Sequence, residues 1–311
     1  MRVLITGGLG FIGTNLAIKC ISLGWEVVIV DSGKTEHHKI RKDLISKCGY
    51  CKIYNQKLSS FVITSKFDNF DAVFHLAAFP SVLYSVERPY ASFKNNVQET
   101  IVMMLSELYK ANNIKKIVFA SSAAVYGNTN IFPTTEYSEK NPESPYGLQK
   151  LIGENLFELY SRKFDIDSVS LRYFNVYGPY QYNTGAYATA VSAWLNAIKT
   201  GEPLRKDGTG EQSRDMVFVE DVVQANILAA TCSKKLNGSA INIASGTEVT
   251  NNYILDCLSK KFSFKIEQAP FRMGDVMRTC PSIKLANDII GYKPTVSFEE
   301  GLEKTIQSLG L

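Results

Sequence analysis

The stretch Arg2-Val-Leu-Ile-Thr6-Gly7-Gly8-Leu9-Gly10-Phe11-Ile12-Gly13 decides how the rest of this chain is read. A short apolar run ends in a glycine cluster, and a helical pattern follows through about residue 23, which spells strand, tight turn, helix. Gly7, Gly10 and Gly13 put bare backbone at the strand-to-helix junction, where a pyrophosphate can approach and the helix N-terminus favours its charge. Glu26-Val-Val-Ile-Val-Asp31 then reads as a second strand ending in an acid, at the distance expected of a ribose-binding carboxylate. The unit is a βαβ dinucleotide site. Asp31 can accept bonds from both ribose hydroxyls but would meet a 2′-phosphate with like charge, so NAD is expected over NADP, with Lys34 softening the repulsion.

Outward from this unit, strand-like runs recur at Lys52 to Tyr54, Asp71 to Ala77, Ile117 to Ser121 and Ser168 to Arg172. Helical patterns separate them around Val97 to Ala111 and Tyr146 to Phe164. The alternation predicts an α/β fold, a doubly wound parallel sheet of the Rossmann type. After Tyr173 the elements shorten and arginines scatter. The runs 216–220, 221–231 and 241–245 are regular enough to be expected back in the main sheet. The predicted organisation is therefore a cofactor domain over 1–173, with about 215–246 returning to it, and a smaller C-terminal substrate-binding lobe made mainly from 174–311. Val97, Ile101, Val102, Leu105, Leu108 and Tyr109 cover more than one stripe of their helix, which suggests a partner helix and a homodimer formed through it and the Tyr146 helix.

With 311 residues, 45% of them hydrophobic, the chain can build one large or two modest cores. The net charge of +4 is spread along the chain, which points away from nucleic acid and membrane surfaces and toward an anionic small molecule. No apolar run approaches the ~18 residues of a spanning helix, and the N-terminus runs directly into a strand, so a cytoplasmic location is expected. Six cysteines fit a reducing compartment. Cys48-Gly-Tyr-Cys51 has no second pair and His37-His38 no carboxylate or cysteine at ligand spacing; no metal site is expected, and the histidines read as solvated.

The chemistry is carried by Ser144-Pro145-Tyr146-Gly147-Leu148-Gln149-Lys150. Ser before Pro is a helix-start signal, and Leu148, Leu151, Ile152, Leu156 and Tyr160 continue with helical period. Tyr146 and Lys150, four apart, share a face. Moving a Tyr from pH ~10 to near 7 requires about 4 kcal/mol of phenolate stabilisation, of which one cation supplies ~1–3 pK units. A second positive group is needed.

Taken in order, Thr6 to Gly13, Asp31, His75-Leu76-Ala77-Ala78, Ser121-Ser122-Ala-Ala-Val-Tyr-Gly127, Tyr146-x-x-x-Lys150, Arg172-Tyr-Phe-Asn175-Val-Tyr-Gly-Pro179, Arg214-Asp215, Phe218 to Asp221, Arg272 to Asp275 and Gly291 to Pro294 resemble the extended short-chain dehydrogenase/reductase superfamily, specifically its nucleotide-sugar epimerases and dehydratases. The resemblance implies Tyr146 as general acid/base, Lys150 as the residue that holds the nicotinamide ribose and lowers the Tyr pKa, and Ser122 as the hydrogen-bond partner of the reacting sugar hydroxyl. It implies NAD contacts at Gly7, Gly10, Phe11, Ile12, Gly13, Asp31, Leu76, Ala77, Ala78 and Asn96. Around a nucleoside diphosphate it places Asn175, Arg214, Arg272 and Asp275, with Thr279 beside the sugar. The planar fork and permanent charge of arginine suit two phosphate oxygens.

The chain departs from the family pattern at Gln56 and Lys57, where an acid usually contacts the adenine side, at Pro80, at Glu99 in place of a frequent Gly, and at Ser282 in place of an Asp. Dehydratases and decarboxylases of the family generally carry an acid beside the catalytic hydroxyl, whereas here Ala123 and Ala124 follow Ser122. The resemblance therefore implies 4-epimerisation of a UDP-hexose by hydride abstraction at C4, rotation of the keto sugar and hydride return. A small Thr279 implies tolerance of N-acetyl groups, as in UDP-GlcNAc and UDP-GalNAc as well as UDP-Glc and UDP-Gal. A 4-ketoreductase or dehydratase of the same family is the alternative enzyme, and a non-catalytic NAD-binding sensor the alternative of another class.

Overall fold

The computed structural model describes residues 1–64, 69–108, 114–182, 189–271 and 276–311. Its first six strands are β1 (Arg2–Thr6), β2 (Glu26–Asp31), β3 (Cys51–Asn55), β4 (Ala72–His75), β5 (Lys116–Ser122) and β6 (Ser168–Tyr173). Six more follow: β7 (Asn175–Tyr177), β8 (Leu204–Asp207), β9 (Ser213–Phe218), β10 (Ser239–Ile243), β11 (Glu248–Thr250) and β12 (Ile266–Ala269). Seven of them form one sheet in the order β10-β6-β5-β4-β1-β2-β3. Every neighbouring pair in it is parallel, which is the doubly wound arrangement the alternation predicts.

Val3, Leu4 and Ile5 of β1 are fully buried, as are Val73 and Phe74 of β4. Continuous burial of this kind arises because helices cover both faces of a parallel sheet. Alternate residues feed two clusters: Val3, Ile5, Ile29 and Phe74 lie in one with Leu16, and Leu4, Val28, Val30 and Val73 lie in the other with Ile101 and Phe157. Chain order reverses between β1 and β4, so the turns after these two strands part and leave a crevice at the carboxyl edge. Helix α1 (Phe11–Ser22) starts there.

The strand around Met216, expected to return to the main sheet, is instead the centre of a three-stranded sheet ordered β11-β9-β7. One residue, Phe174, separates β7 from β6, and β7 carries the chain off the main sheet and pairs with β9 in register Asn175↔Met216. The open side of β6 is taken by β10. The helix Val219–Thr231 packs against α1, so it and β10 do return to the main layer. A third apolar cluster with Tyr177, Trp194, Phe218 and Phe298 supports the small sheet.

The helix expected over Val97 to Ala111 is wound differently. A π-helix spans Lys94–Val102 and an α-helix follows over Met103–Leu108; the expected end of the element lies outside the described residues. Wider turns change which residues share a face. Val97, Ile101 and Leu105 are buried while Val102 is 46% exposed, so the broad apolar spread has a local cause in the winding. Among the described residues no helix is long and apolar enough to cross a membrane.

Candidate active site

The glycine turn is built by close approach. Gly7 has φ +71°, and a Cβ there would meet the backbone nitrogen of Ala77 at 2.8 Å; one at Gly13 would meet the Gly7 carbonyl at 2.3 Å. At Gly10 a Cβ would have only the Gly7 carbonyl within 4 Å, at 3.1 Å, so this residue faces open space. Gly10 is also the N-cap of α1 and supplies no capping side chain, which leaves the first-turn N–H groups directed at that space. Phe11 and Ile12 pack their side chains against the core under the small sheet. A cradle open on one side at a helix N-terminus fits a pyrophosphate. Asp31, at the end of β2, accepts N–H groups from Leu9 (2.9 Å) and Gly33 (2.7 Å), fixing the acid beside the turn where a ribose would lie.

Across the crevice, Leu76, Ala77 and Ala78 follow β4 and are half-buried. Leu76 N–H donates to the Thr6 carbonyl (3.1 Å), and Ala77 N–H to Thr6 Oγ1 (3.3 Å). His75, beneath them, shares a hydrogen with Thr6 Oγ1 at 2.8 Å and stacks on Phe119. Burial, helped by the Lys150 charge, holds its pKa down to about 3, so it is a neutral packing group. Asn96 accepts the Phe79 N–H (2.8 Å) and donates to the Phe79 carbonyl (3.2 Å) and to Gln149 Oε1 (2.8 Å). Its amide thus ties the loop after β4 to the helix that carries Lys150.

That helix spans Pro145–Phe164. Ser144 caps it by accepting the Gly147 N–H at 3.1 Å, and Tyr146 N–H donates to Ser85 Oγ at 3.1 Å. A Cβ at Gly147 would meet the Ala124 carbonyl at 2.5 Å, so the glycine lets the first turn sit against the end of β5. Ser122, Tyr146 and Lys150 therefore converge. The Ser122 hydroxyl accepts the Ala124 N–H (3.2 Å) and lies near enough to Tyr146 to pull its pKa down. Lys150 Nζ donates to the Ala120 carbonyl at 2.6 Å and lies 5.8 Å from the centre of the Tyr146 ring.

The expectation that Lys150 lowers the Tyr146 pKa is not met by these groups. Burial pushes the phenol up to about 12, against the opposing pull of Ser122. Burial also brings the Lys150 ammonium down to about 8, against the attraction of Glu154. The physical reason is that both groups lie in low dielectric, and the lysine charge is spent on a backbone carbonyl. Glu154 is not available for chemistry: it takes a two-point ion pair from Arg172 (2.9 and 2.7 Å) and accepts from Ser121 (2.5 Å). Arg172 also donates to Tyr126 (2.7 Å), so one buried network joins β5, β6 and the Tyr146 helix.

On the other wall, Asn175 donates to the Asp215 carbonyl (2.9 Å) and to Thr279 Oγ1 (3.3 Å), and Asp215 N–H donates to the same hydroxyl (2.9 Å). Thr279 is thus a strut of the small sheet as well as a small residue. Arg214 is half-buried and donates to the Ser213 carbonyl (2.9 Å). Arg272 and Asp275 lie outside the described residues. Asp215 accepts N–H groups from Ser245 and Gly246, both at 2.7 Å, and burial raises its pKa to about 6.

One expectation about the periphery changes. His37 and His38 are half-buried; His37 stacks on Tyr182 at 4.7 Å, because a helix, α2 (Glu36–Cys48), folds them under the 180–182 segment. Arg41 of the same helix is buried and donates to the carbonyls of Leu9 (3.1 Å) and Tyr180 (2.8 Å), a brace for the glycine turn that nothing in the local sequence marks. The departures Lys57 and Glu99 form an ion pair at 3.5 Å, and Lys94 adds a second at 3.6 Å, so the unusual base and acid compensate each other. Ser282 accepts the Lys284 N–H (3.3 Å) just before the helix Lys284–Ile290. Cys48 is exposed and Cys51 half-buried, and among the described residues no three His, Cys, Asp or Glu side chains group as a metal site.

A model of the NAD dependent epimerase/dehydratase family matches residues 3–244. A putative UDP-glucose 4-epimerase of Methanocaldococcus jannaschii is 33% identical, over 98% of this chain and 97% of its own. Among solved structures, a UDP-N-acetylglucosamine 4-epimerase from Methanobrevibacter ruminantium M1, in complex with UDP-N-acetylmuramic acid, superposes with TM-score 0.88 at 32% identity, over 99% of this chain and 97% of that one. A UDP-glucuronic acid 4-epimerase from Bacillus cereus, bound to UDP-glucuronic acid and NAD, gives TM-score 0.88 at 27% identity, over 100% and 99%.

Proposed function

Since the chain belongs to the NAD dependent epimerase/dehydratase family and NAD is its cofactor, we propose that it interconverts UDP-hexoses at C4 and accepts N-acetylated sugars. The observation that carries this reading is the convergence of Ser122, Tyr146 and Lys150 at the end of β5, with Ala123 and Ala124 beside them and the neighbouring carboxylate, Glu154, committed to Arg172. Such a site can move one proton, and among the described residues it offers no free second acid for elimination or decarboxylation. This favours epimerisation over a dehydratase. The acid at the end of β2 favours it over a reductase drawing on NADPH.

Bound at the glycine turn, NAD supplies the hydride acceptor and a positively charged ring. The chain's own part is the proton. Ser122 would hold the sugar hydroxyl and Tyr146 take its proton, returning it after the keto sugar has turned. Lys150, between the Ala120 carbonyl and the Tyr146 ring, would orient the ribose. With Tyr146 raised to about 12 by burial, its phenol is protonated at neutral pH until positive charge is brought beside it, which ties proton abstraction to the presence of the oxidised cofactor. Asn175, Arg214, Arg272 and Asp275 would hold the nucleoside diphosphate. Gly7, Gly10, Gly13, Asp31 and the Leu76 to Ala78 loop would hold NAD, with Asn96 acting through Phe79. A homodimer would pair the exposed apolar residues Val86, Tyr90, Phe93 and Val102 with Leu148 and Leu159 of the Tyr146 helix.

The test is turnover. Purified protein incubated with a panel of UDP-, dTDP- and GDP-sugars should interconvert 4-epimers of UDP-sugars, read by NMR, with no added oxidant or reductant. Tyr146→Phe should lose about 10²-fold or more in kcat while still binding NAD and UDP. Near-normal turnover by that variant, or stoichiometric consumption of NADH or NADPH, would overturn the reading.

A further inference from the structure

Two turns distant in the chain meet at Arg41. Its guanidinium is buried and its fork is divided: Nη1 donates to the Leu9 carbonyl (3.1 Å), while Nε (3.3 Å) and Nη2 (2.8 Å) both donate to the Tyr180 carbonyl. Its charge is met by these oxygens, with the Asp31 carboxylate adding its attraction. Leu9 lies in the glycine turn, where Asp31 accepts its N–H. Tyr180 lies in the turn that follows β7, the strand that begins with Asn175. A planar fork can hold carbonyls of two separate segments at once, a geometry that a single ammonium does not reproduce.

The second turn is one that needs holding. Tyr180 has φ +67°, a left-handed conformation that a tyrosine keeps only where its surroundings fix it. Arg41 fixes it from α2, and its guanidinium also lies over the Tyr182 ring, 5.1 Å from the centre. Asn15 of α1 adds a second tie by donating to the Pro179 carbonyl (3.1 Å). From this turn the path to the substrate wall is short. Gln181 Nε2 donates to the Val176 carbonyl (3.2 Å), and Val176 pairs with Val217 beside the Asn175↔Met216 pair.

We propose that Arg41 is a positioning residue for the nucleotide sugar: from the cofactor side it holds the turn 178–182, and through Gln181 that turn holds β7 and Asn175 where the nucleoside diphosphate is bound. The inference rests on the proposed assignment of that wall to the nucleotide sugar and adds a residue that sets its position. Arg41 acts through these bonds and not by contact with the ligand.

The experiment is calorimetric binding of UDP to NAD-saturated protein in four versions of the full chain: the parent, Arg41→Lys, Gln181→Met and the two together. Lysine keeps the charge and loses the fork. Methionine keeps the volume at 181 and removes an amide whose Oε1 is buried without a partner among the described residues, so the fold is spared. Each single change should weaken UDP binding about 10-fold, and the two together also about 10-fold, because both cut one path. Gln181→Met should leave the NAD Kd unchanged. In turnover the loss should appear in KM, kcat changing by less than about 3-fold, since Ser122, Tyr146 and Lys150 stand on the opposite wall. Unchanged UDP affinity in Arg41→Lys overturns the proposal, as does a loss of about 100-fold in the double variant, which two independent effects would give. A fall in kcat at constant KM does so too. Should Arg41→Lys not fold, Gln181→Met decides alone, and unchanged UDP affinity there has the same consequence. A parent protein that binds NAD but not UDP would instead remove the reading of the substrate wall, and this inference with it.

Discussion

Lys150→Met should make the chain more stable at neutral pH while abolishing turnover. Burial brings the Lys150 ammonium from 10.5 down to about 8, so the folded protein holds this charge at a cost of about 3 kcal/mol relative to the unfolded chain. Methionine fills nearly the same volume without charge, and loses the bond from Nζ to the Ala120 carbonyl, worth about 1 kcal/mol. The net gain is about 2 kcal/mol at pH 7. Its pH dependence has a definite sign. Because the folded pKa lies below the unfolded one, the folded chain binds fewer protons than the unfolded chain between about 8 and 10.5, so the parent protein gains stability as pH rises through that window. The cost is complete below about 8 and gone above about 10.5, and the variant lacks that slope. Urea midpoints of both proteins at several pH values from 7 to 10 measure the difference, in which ionisations common to both cancel. A variant less stable than its parent at pH 7, or a difference constant across pH, would refute the claim that the charge is held against burial.

The Thr279 position should separate packing from size. Thr279→Val removes the hydroxyl acceptor shared by Asn175 and Asp215 and should slow N-acetylated and unsubstituted substrates alike; each donor keeps a carbonyl partner, so each lost bond costs about 1 kcal/mol. Thr279→Tyr should damage kcat/KM for UDP-GlcNAc and UDP-GalNAc further than for UDP-Glc and UDP-Gal; equal losses would remove Thr279 as the size filter. For assembly, light scattering should give twice the chain mass, and Tyr90→Glu together with Leu148→Glu should give the monomer. An unchanged mass in that variant would move the interface elsewhere.

Much of the site was legible because its chemistry is local. Glycines at 7, 10 and 13 follow a strand, Asp31 ends the next one, and Tyr146 and Lys150 are one helical turn apart; each is a short-range relation that periodicity exposes. What escaped reading was made of single side chains acting over long separations in the chain. Arg41, which the sequence did not mark, reaches Leu9 and Tyr180, and Asn96, named only as a cofactor contact, reaches Gln149 and Phe79. An arginine in a polar helix and a lone asparagine look the same whether solvated or buried.

The sequence by itself determined the parallel sheet, the glycine turn at the head of α1 and the placing of Tyr146 and Lys150 on one helix face, because hydrophobic period and glycine placement constrain the backbone wherever they occur. Only the tertiary structure decided that β9 leaves the main sheet, since the open side of β6 admits one strand and β10 takes it. It alone also decided the electrostatics: Tyr146 and Lys150 lie on one face in either view, but the direction of their pKa values follows from how deeply the packed chain buries them.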